Sequence, residues 1–183
     1  MNKLWLSWFM MLVLAGPVHA ADAAYRLGFA PPGPAQRAVV GHVLGADFLR
    51  GAGVFPAETL VAEVDLNGDG KKDIVAVQQG FCSNHACTFH FLLNVSPGVW
   101  EDAAAVDSWA IPYVIDGPQG AMRELVIFDH IADDCLACSE PKPVRLAWRP
   151  GPSGTVGAYV QTGPVPDDDA SAFKPSWRWR GQE

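Results

Sequence analysis

Between positions 65 and 73 the chain places oxygen donors at a spacing that suits a hard cation. Asp65, Asn67, Asp69 and Asp73 stand with Gly70 and Lys71 among them in the pattern D-x-N-x-D-G-x-x-D. Ca²⁺ takes about six to eight oxygen ligands, and a curling loop turns the side chains of its first, third and fifth positions inward. The glycine at the sixth position permits the sharp turn, and the seventh, Lys71, offers its main-chain carbonyl. Asp73, at the ninth, closes the shell directly or through a water. The twelfth position is Ala76, not the bidentate glutamate of a helix–loop–helix site, and the flanking residues read as strands. The expectation is one structural Ca²⁺ on a β-hairpin loop, weakened by the like charge of Lys71 and Lys72. A polar Asn/Gly/Asp turn without an ion is the plain alternative.

Sulfur and imidazole supply a second set. Cys82, His85, Cys87 and His90 have ligand types suited to zinc or copper. A strand from Thr88 onward would turn Cys87 and His90 to opposite faces, which favours a Cys82–Cys87 disulfide. Cys135 and Cys138 have the spacing of a redox dithiol, but Asp133 and Asp134 precede them, and no helix follows to lower a thiol pKa. Four cysteines allow three connectivities. The pairing of near neighbours, Cys82–Cys87 and Cys135–Cys138, is the expected one. Asp129 and His130, with Asp133 and Asp134, make an acidic loop suited to a second cation, a proton shuttle or plain solvation. Ser83 and His85 are too constrained by the flanking cysteines for a hydrolytic dyad, and the sequence offers no phosphate-binding glycine loop. Trp177 and Trp179 lie on one face of an extended tail among Lys174, Arg178 and Arg180. They read as a last edge strand or as an aromatic–cationic contact patch.

The elements that must position these groups follow from periodicity. Residues 21–34, with Pro31, Pro32 and Pro34, read as an extended lead-in. Val39, Val40, Val43, Leu44, Phe48 and Leu49 then form one helical face, ended by Gly51 and Gly53. Beyond it the pattern suits strands at 60–64, 74–77, 88–95, 123–128 and 144–148, separated by Gly and Pro turns. The predicted fold is mainly β, antiparallel, with six to eight short strands and one N-terminal α-helix in a single domain over residues 35–162. Residues 163–183 form a Pro- and Asp-rich tail.

Composition narrows the function classes. The chain has 183 residues, 49% hydrophobic, with 13 Lys and Arg against 20 Asp and Glu for a net charge of −7. An acidic protein without basic clusters is a poor partner for nucleic acid or anionic lipid. Residues 1–20 read as a signal peptide: Lys3, an apolar run, then a small-residue cleavage site at Val18, His19 and Ala20. The expected product is exported, periplasmic or secreted, soluble, with no later apolar run long enough to span a membrane and no cysteine placed for a lipid anchor. Export also suits disulfides.

The run from Val64 to Val75 resembles the calcium loop of the FG-GAP and VCBS repeat families. The resemblance implies Ca²⁺ ligation by Asp65, Asn67, Asp69 and Asp73. A single copy implies no β-propeller. The longer order is loop, then Phe81, Cys82 and the hairpin to Cys87, a turn at Gly98–Trp100, and the strand from Glu124 to Ile127. It is similar to small exported bacterial proteins related to lysozyme inhibitors and immunity proteins, over about residues 58–150. Asn84, His85 and Ala86 replace glycines common there, and Cys135 and Cys138 are additional. The resemblance implies a non-enzymatic protein that binds a wall-degrading hydrolase, with Asn84, His85 and the loop from Asp129 to Glu140 as contacts. An accessory or adhesion-like subunit of an envelope assembly is the alternative, and a small hydrolase or thiol enzyme a third.

Overall fold

The computed structural model describes residues 24–50, 58–82, 86–130, 140–152 and 157–176. Their order is β1 (Ala24–Arg26), α1 (Pro34–Val43), α2 (Ala46–Arg50), β2 (Thr59–Val64), β3 (Asp73–Gln78), β4 (Cys87–Ser96), β5 (Val99–Ser108), β6 (Tyr113–Ile115), β7 (Glu124–Asp129), β8 (Lys142–Arg149), β9 (Ala158–Pro164) and α3 (Asp167–Ala170). One sheet runs β2-β3-β4-β5 and the other β1-β6-β7-β8-β9, every pairing antiparallel. Among the described residues nine strands and three short α-helices replace the six to eight strands and single helix expected.

The two sheets share an apolar interior. Leu60, Val75, Val77, Phe89 and Phe91 from one meet Val114, Leu125, Ile127, Val144 and Leu146 from the other. Alternate residues of β2, β3 and β4 point the other way. Val61, Ile74, Ala76 and Leu92 are covered by Val40 and, more loosely, by Val39, Val43, Leu44, Phe48 and Leu49. The predicted helical face is therefore the face that docks. On the far side of the second sheet, Ile115, Val126 and Phe128 are covered by Val165 and Phe173. Strands β2–β4 of the first sheet and β7 of the second are thus sheltered on both faces, and β3 is buried at its first five positions. That explains why its sequence is a continuous apolar run rather than an alternation.

Three departures from expectation have local causes. The helical face is not one helix: Gly45, at φ +91°, turns the chain between α1 and α2 before Gly51 is reached. A glycine just beyond a helix C-terminus takes that left-handed conformation at no steric cost. The lead-in is not merely extended. Residues of β1 pair with β6, and Ala30 bridges Val61, so residues 24–30 stitch the second sheet to the edge of the first. Strand β5 is not among the five strands that periodicity predicts, because Glu101, Asp102 and three alanines have poor strand propensity. It is nevertheless paired with β4 from Ser96↔Val99 to Cys87↔Ser108. As an outer strand it tolerates acidic residues, which also discourage edge-to-edge association.

The tail assigned to 163–183 begins inside β9 and then packs as α3 and Phe173. Trp177 and Trp179 lie outside the described residues, as do residues 1–20, predicted as a signal peptide, and Asn84, His85, Asp133, Asp134, Cys135 and Cys138. No helix among the described residues is long and apolar enough to cross a membrane.

Candidate functional site

Strand direction sorts the loops between the two ends of the sandwich. The β2–β3, β4–β5, β6–β7 and β8–β9 connections share one end, and the β3–β4, β5–β6 and β7–β8 connections share the other. The loop at 65–73 belongs to the first end. The loops after Cys82 and after Asp129 belong to the second.

At the first end the donor oxygens turn in on the loop's own amides. Asp65 Oδ1 accepts the Asp69 N–H at 3.2 Å and its Oδ2 the Gly70 N–H at 3.0 Å. Asn67 Oδ1 accepts the same Asp69 N–H at 3.1 Å, and Asp69 Oδ1 accepts the Lys71 N–H at 2.8 Å. The curl needs Gly68 at φ +69° and Gly70 at φ +82°. Asp69 is exposed, and Lys71 Nζ lies 3.0 Å from its Oδ2. The Lys71 amide, followed by its ammonium, holds the Asp69 carboxyl below the usual carboxylate range. Among the described residues no three His, Cys, Asp or Glu side chains are gathered around one point. The oxygens read from the sequence as donors, those of Asp65, Asn67, Asp69, Asp73 and the Lys71 carbonyl, belong to one continuous loop but are not gathered around a common point.

Asp73 differs from the others. It is fully buried at the start of β3. The Leu66 N–H donates to its Oδ2 at 2.7 Å and the Asn94 N–H to its Oδ1 at 2.8 Å. Burial pushes its carboxyl above the ordinary range, the two amides pull against that, and Asp69 and Asp65 add to the rise. A carboxylate oxygen has lone pairs beyond the one an amide takes, so ligation remains chemically open to Asp73. Its first role is to tie the loop to β4.

The loop is also docked on the opposite sheet. Gly120 N–H donates to Gly68 O at 2.9 Å, Arg123 N–H to Leu66 O at 2.7 Å, and Arg123 Nε–H to Asp65 O at 3.4 Å. A Cβ at position 68 would stand 2.6 Å from the Gly120 nitrogen. The hairpin loop is thus a clasp between the β2–β3 turn and the β6–β7 turn.

At the second end, Cys82 and Cys87 are disulfide-bonded with Cα atoms 4.2 Å apart. Cys87 faces the interior. His90 faces the helices, its ring 5.1 Å from Phe48 and its Nδ1 3.5 Å from Asp102 Oδ2. The disulfide and the opposed faces of Cys87 and His90 agree with the sequence reading, and His85 lies outside the described residues. Pairing of Cys135 with Cys138 lies outside the described residues.

Between β5 and β9 the sheets part into a cleft of about 450 Å³, lined by Asp107, Trp109, Ile127, Asp129, Tyr159 and Gln161 among others. Ala86 lies on its wall. Ala86 and Asp129, described residues next to the two loops singled out in the sequence, therefore lie at the same cleft. His130 sits beside it, its ring 4.1 Å from that of Trp109 in an edge-on contact. Asp107 Oδ1 accepts the Thr88 hydroxyl at 2.6 Å, and Asp129 Oδ1 accepts the His130 N–H at 2.8 Å. Asp107, Tyr159 and Gln161 were not anticipated. They come from strands far apart in the chain, and no local spacing announces a wall assembled by sheet packing. Ser108, buried, donates to Ala110 O at 2.6 Å and accepts the Phe128 N–H at 3.1 Å, which ties the β5–β6 connection to β7. No protein-family model matches the chain, and no curated protein and no solved structure matches it either.

Proposed function

We propose that the chain is an exported, non-enzymatic calcium-binding protein that works by binding another protein, and that its partner is a wall-degrading hydrolase. The observation that carries the calcium reading is the loop at 65–73. There the side-chain oxygens of Asp65, Asn67 and Asp69 accept main-chain N–H groups of their own loop, which curls through two left-handed glycines. Ca²⁺ would neutralise the carboxylates of one turn and compete with Lys71 for Asp69 Oδ2. Because the loop clasps the two sheets, an ion held there stabilises the sandwich. The partner reading is supported by the resemblance over residues 58–150 and by the acidity of the chain, which suits a basic enzyme.

The test pairs thermal unfolding with capture. The mature chain, unfolded in chelator and then in millimolar Ca²⁺, should gain several degrees in its midpoint, and the gain should vanish in Asp65→Ala. The immobilised chain should then retain and inhibit a soluble wall hydrolase in Ca²⁺. Equal midpoints in Ca²⁺ and chelator would remove the ion. Retention of envelope-assembly components instead of a hydrolase would replace the partner.

A further inference from the structure

The cleft between β5 and β9 is used by none of the calcium chemistry. It is bounded by groups of three kinds. Ile127 and Leu146 are apolar, Trp109 and Tyr159 aromatic, and Gln161, Asp107 and Asp129 polar. Its volume of about 450 Å³ falls within the range of ligand-binding clefts. The charge is one-sided. Among the described residues no Lys or Arg lines it and no ion pair closes on Asp107 or Asp129, whose Oδ2 accepts only the neutral Gln161 Nε2–H at 3.5 Å.

Lys142 lies across the β7–β8 ladder from Asp129 but is not part of the lining. Low-dielectric walls concentrate the field of two like carboxylates, so the cleft favours a cation. A bare metal ion would make no use of the apolar and aromatic walls. A side chain with an apolar stem and a cationic head would use both, since such stems pack on apolar surface and such heads are attracted to carboxylates and indole faces.

Resting on the partner reading above, we propose that this cleft is the docking site. It takes one arginine or lysine side chain of a basic partner protein, its head between Asp107 and Asp129 and its stem along Trp109 and the apolar floor. Arginine fits better than lysine, because its planar fork meets carboxylates and stacks on rings.

The experiment is an amide-resonance titration of the isotope-labelled mature chain in Ca²⁺ with arginine amide, and in parallel with citrulline amide, spermidine and chitotriose. Arginine amide should move the Trp109 indole and Gln161 side-chain resonances, whereas neutral citrulline amide should not. Asp107→Asn/Asp129→Asn should weaken that response about tenfold or more and leave the calcium-induced gain in unfolding midpoint unchanged. Equal response to citrulline amide, or a response to chitotriose at the same residues, would overturn the cationic assignment. Spermidine binding more tightly than arginine amide would make the occupant a small polyamine and overturn the protein side chain.

Capture of the hydrolase separates the two levels. Loss of capture in the double variant supports the cleft as the docking site. Undiminished capture overturns it and leaves the proposed function standing. Failure of the unmodified chain to capture any hydrolase sinks that function, while the arginine amide response still decides the cleft.

Discussion

At Asp73 a carboxylate is buried at the start of β3 with both oxygens on main-chain amides, whereas Asp69 stands in solvent beside Lys71. The two acids of one motif therefore make different predictions. Asp73→Ala strands two buried N–H donors, of Leu66 and Asn94, and should cost about 2–5 kcal/mol in chemical denaturation, with or without calcium. Asp69→Ala should leave unfolding in chelator unchanged and abolish the response to Ca²⁺. If the two variants behave alike, the distinction between tie and ligand is wrong. Tyr159 gives a pH prediction. Its hydroxyl donates to Arg123 O at 3.0 Å, and burial, followed by the nearby Asp73, raises its pKa above the ordinary tyrosine value. The stability it contributes is full below about pH 10, where an unfolded tyrosine ionises. Above that the unfolded chain loses the proton first, so stability falls as pH climbs. Tyr159→Phe should lose about 1 kcal/mol at neutral pH for the missing hydrogen bond and show a shallower alkaline decline. Equilibrium denaturation across the alkaline range checks both.

Among the elements, the β2–β3 hairpin and the α1–α2 pair show how single positions govern docking. Gly68 needs a left-handed backbone and packs against the Gly120 nitrogen, where a methyl group would stand at 2.6 Å from backbone. Gly68→Ala should cost about 1–3 kcal/mol from backbone strain alone, and the turn at 116–121 must shift to admit the methyl. Hydrogen exchange of the Gly120 and Arg123 amides, which bond to the loop carbonyls, should speed up in that variant. Val40 is the one fully buried residue of α1, set among Val61, Ile74, Ala76 and Leu92. Val40→Ala removes two methyl groups from that contact and should cost about 2 kcal/mol. The helical face was legible in sequence because its apolar residues recur every three to four positions. The break within it was not, since Gly45 is a single residue whose effect depends on a conformation, not on a pattern.

In the whole molecule the two ends of the sandwich separate two features, the loop proposed to bind calcium at one and the acidic cleft at the other. Calcium bound at 65–73 should protect amides of the 116–123 turn as well as its own loop, because Gly68 O and Leu66 O are hydrogen-bonded there. Protection confined to 65–73 in exchange experiments would show that the clasp does not transmit the ion's effect. The sequence by itself determined the local chemistry: the D-x-N-x-D-G-x-x-D loop, the near-neighbour Cys82–Cys87 pair, the helical face and the cores of five strands. Each depends on residues a few positions apart, where covalent spacing limits what can meet. Tertiary structure alone decided that β5 pairs along its length despite weak propensity and that residues 24–26 complete the second sheet. It also decided that Asp107, Trp109, Asp129, Tyr159 and Gln161 line one cleft. Those outcomes depend on sheet order and on the packing of two sheets through a shared core. Many sequence separations satisfy that packing equally, so no local spacing encodes it.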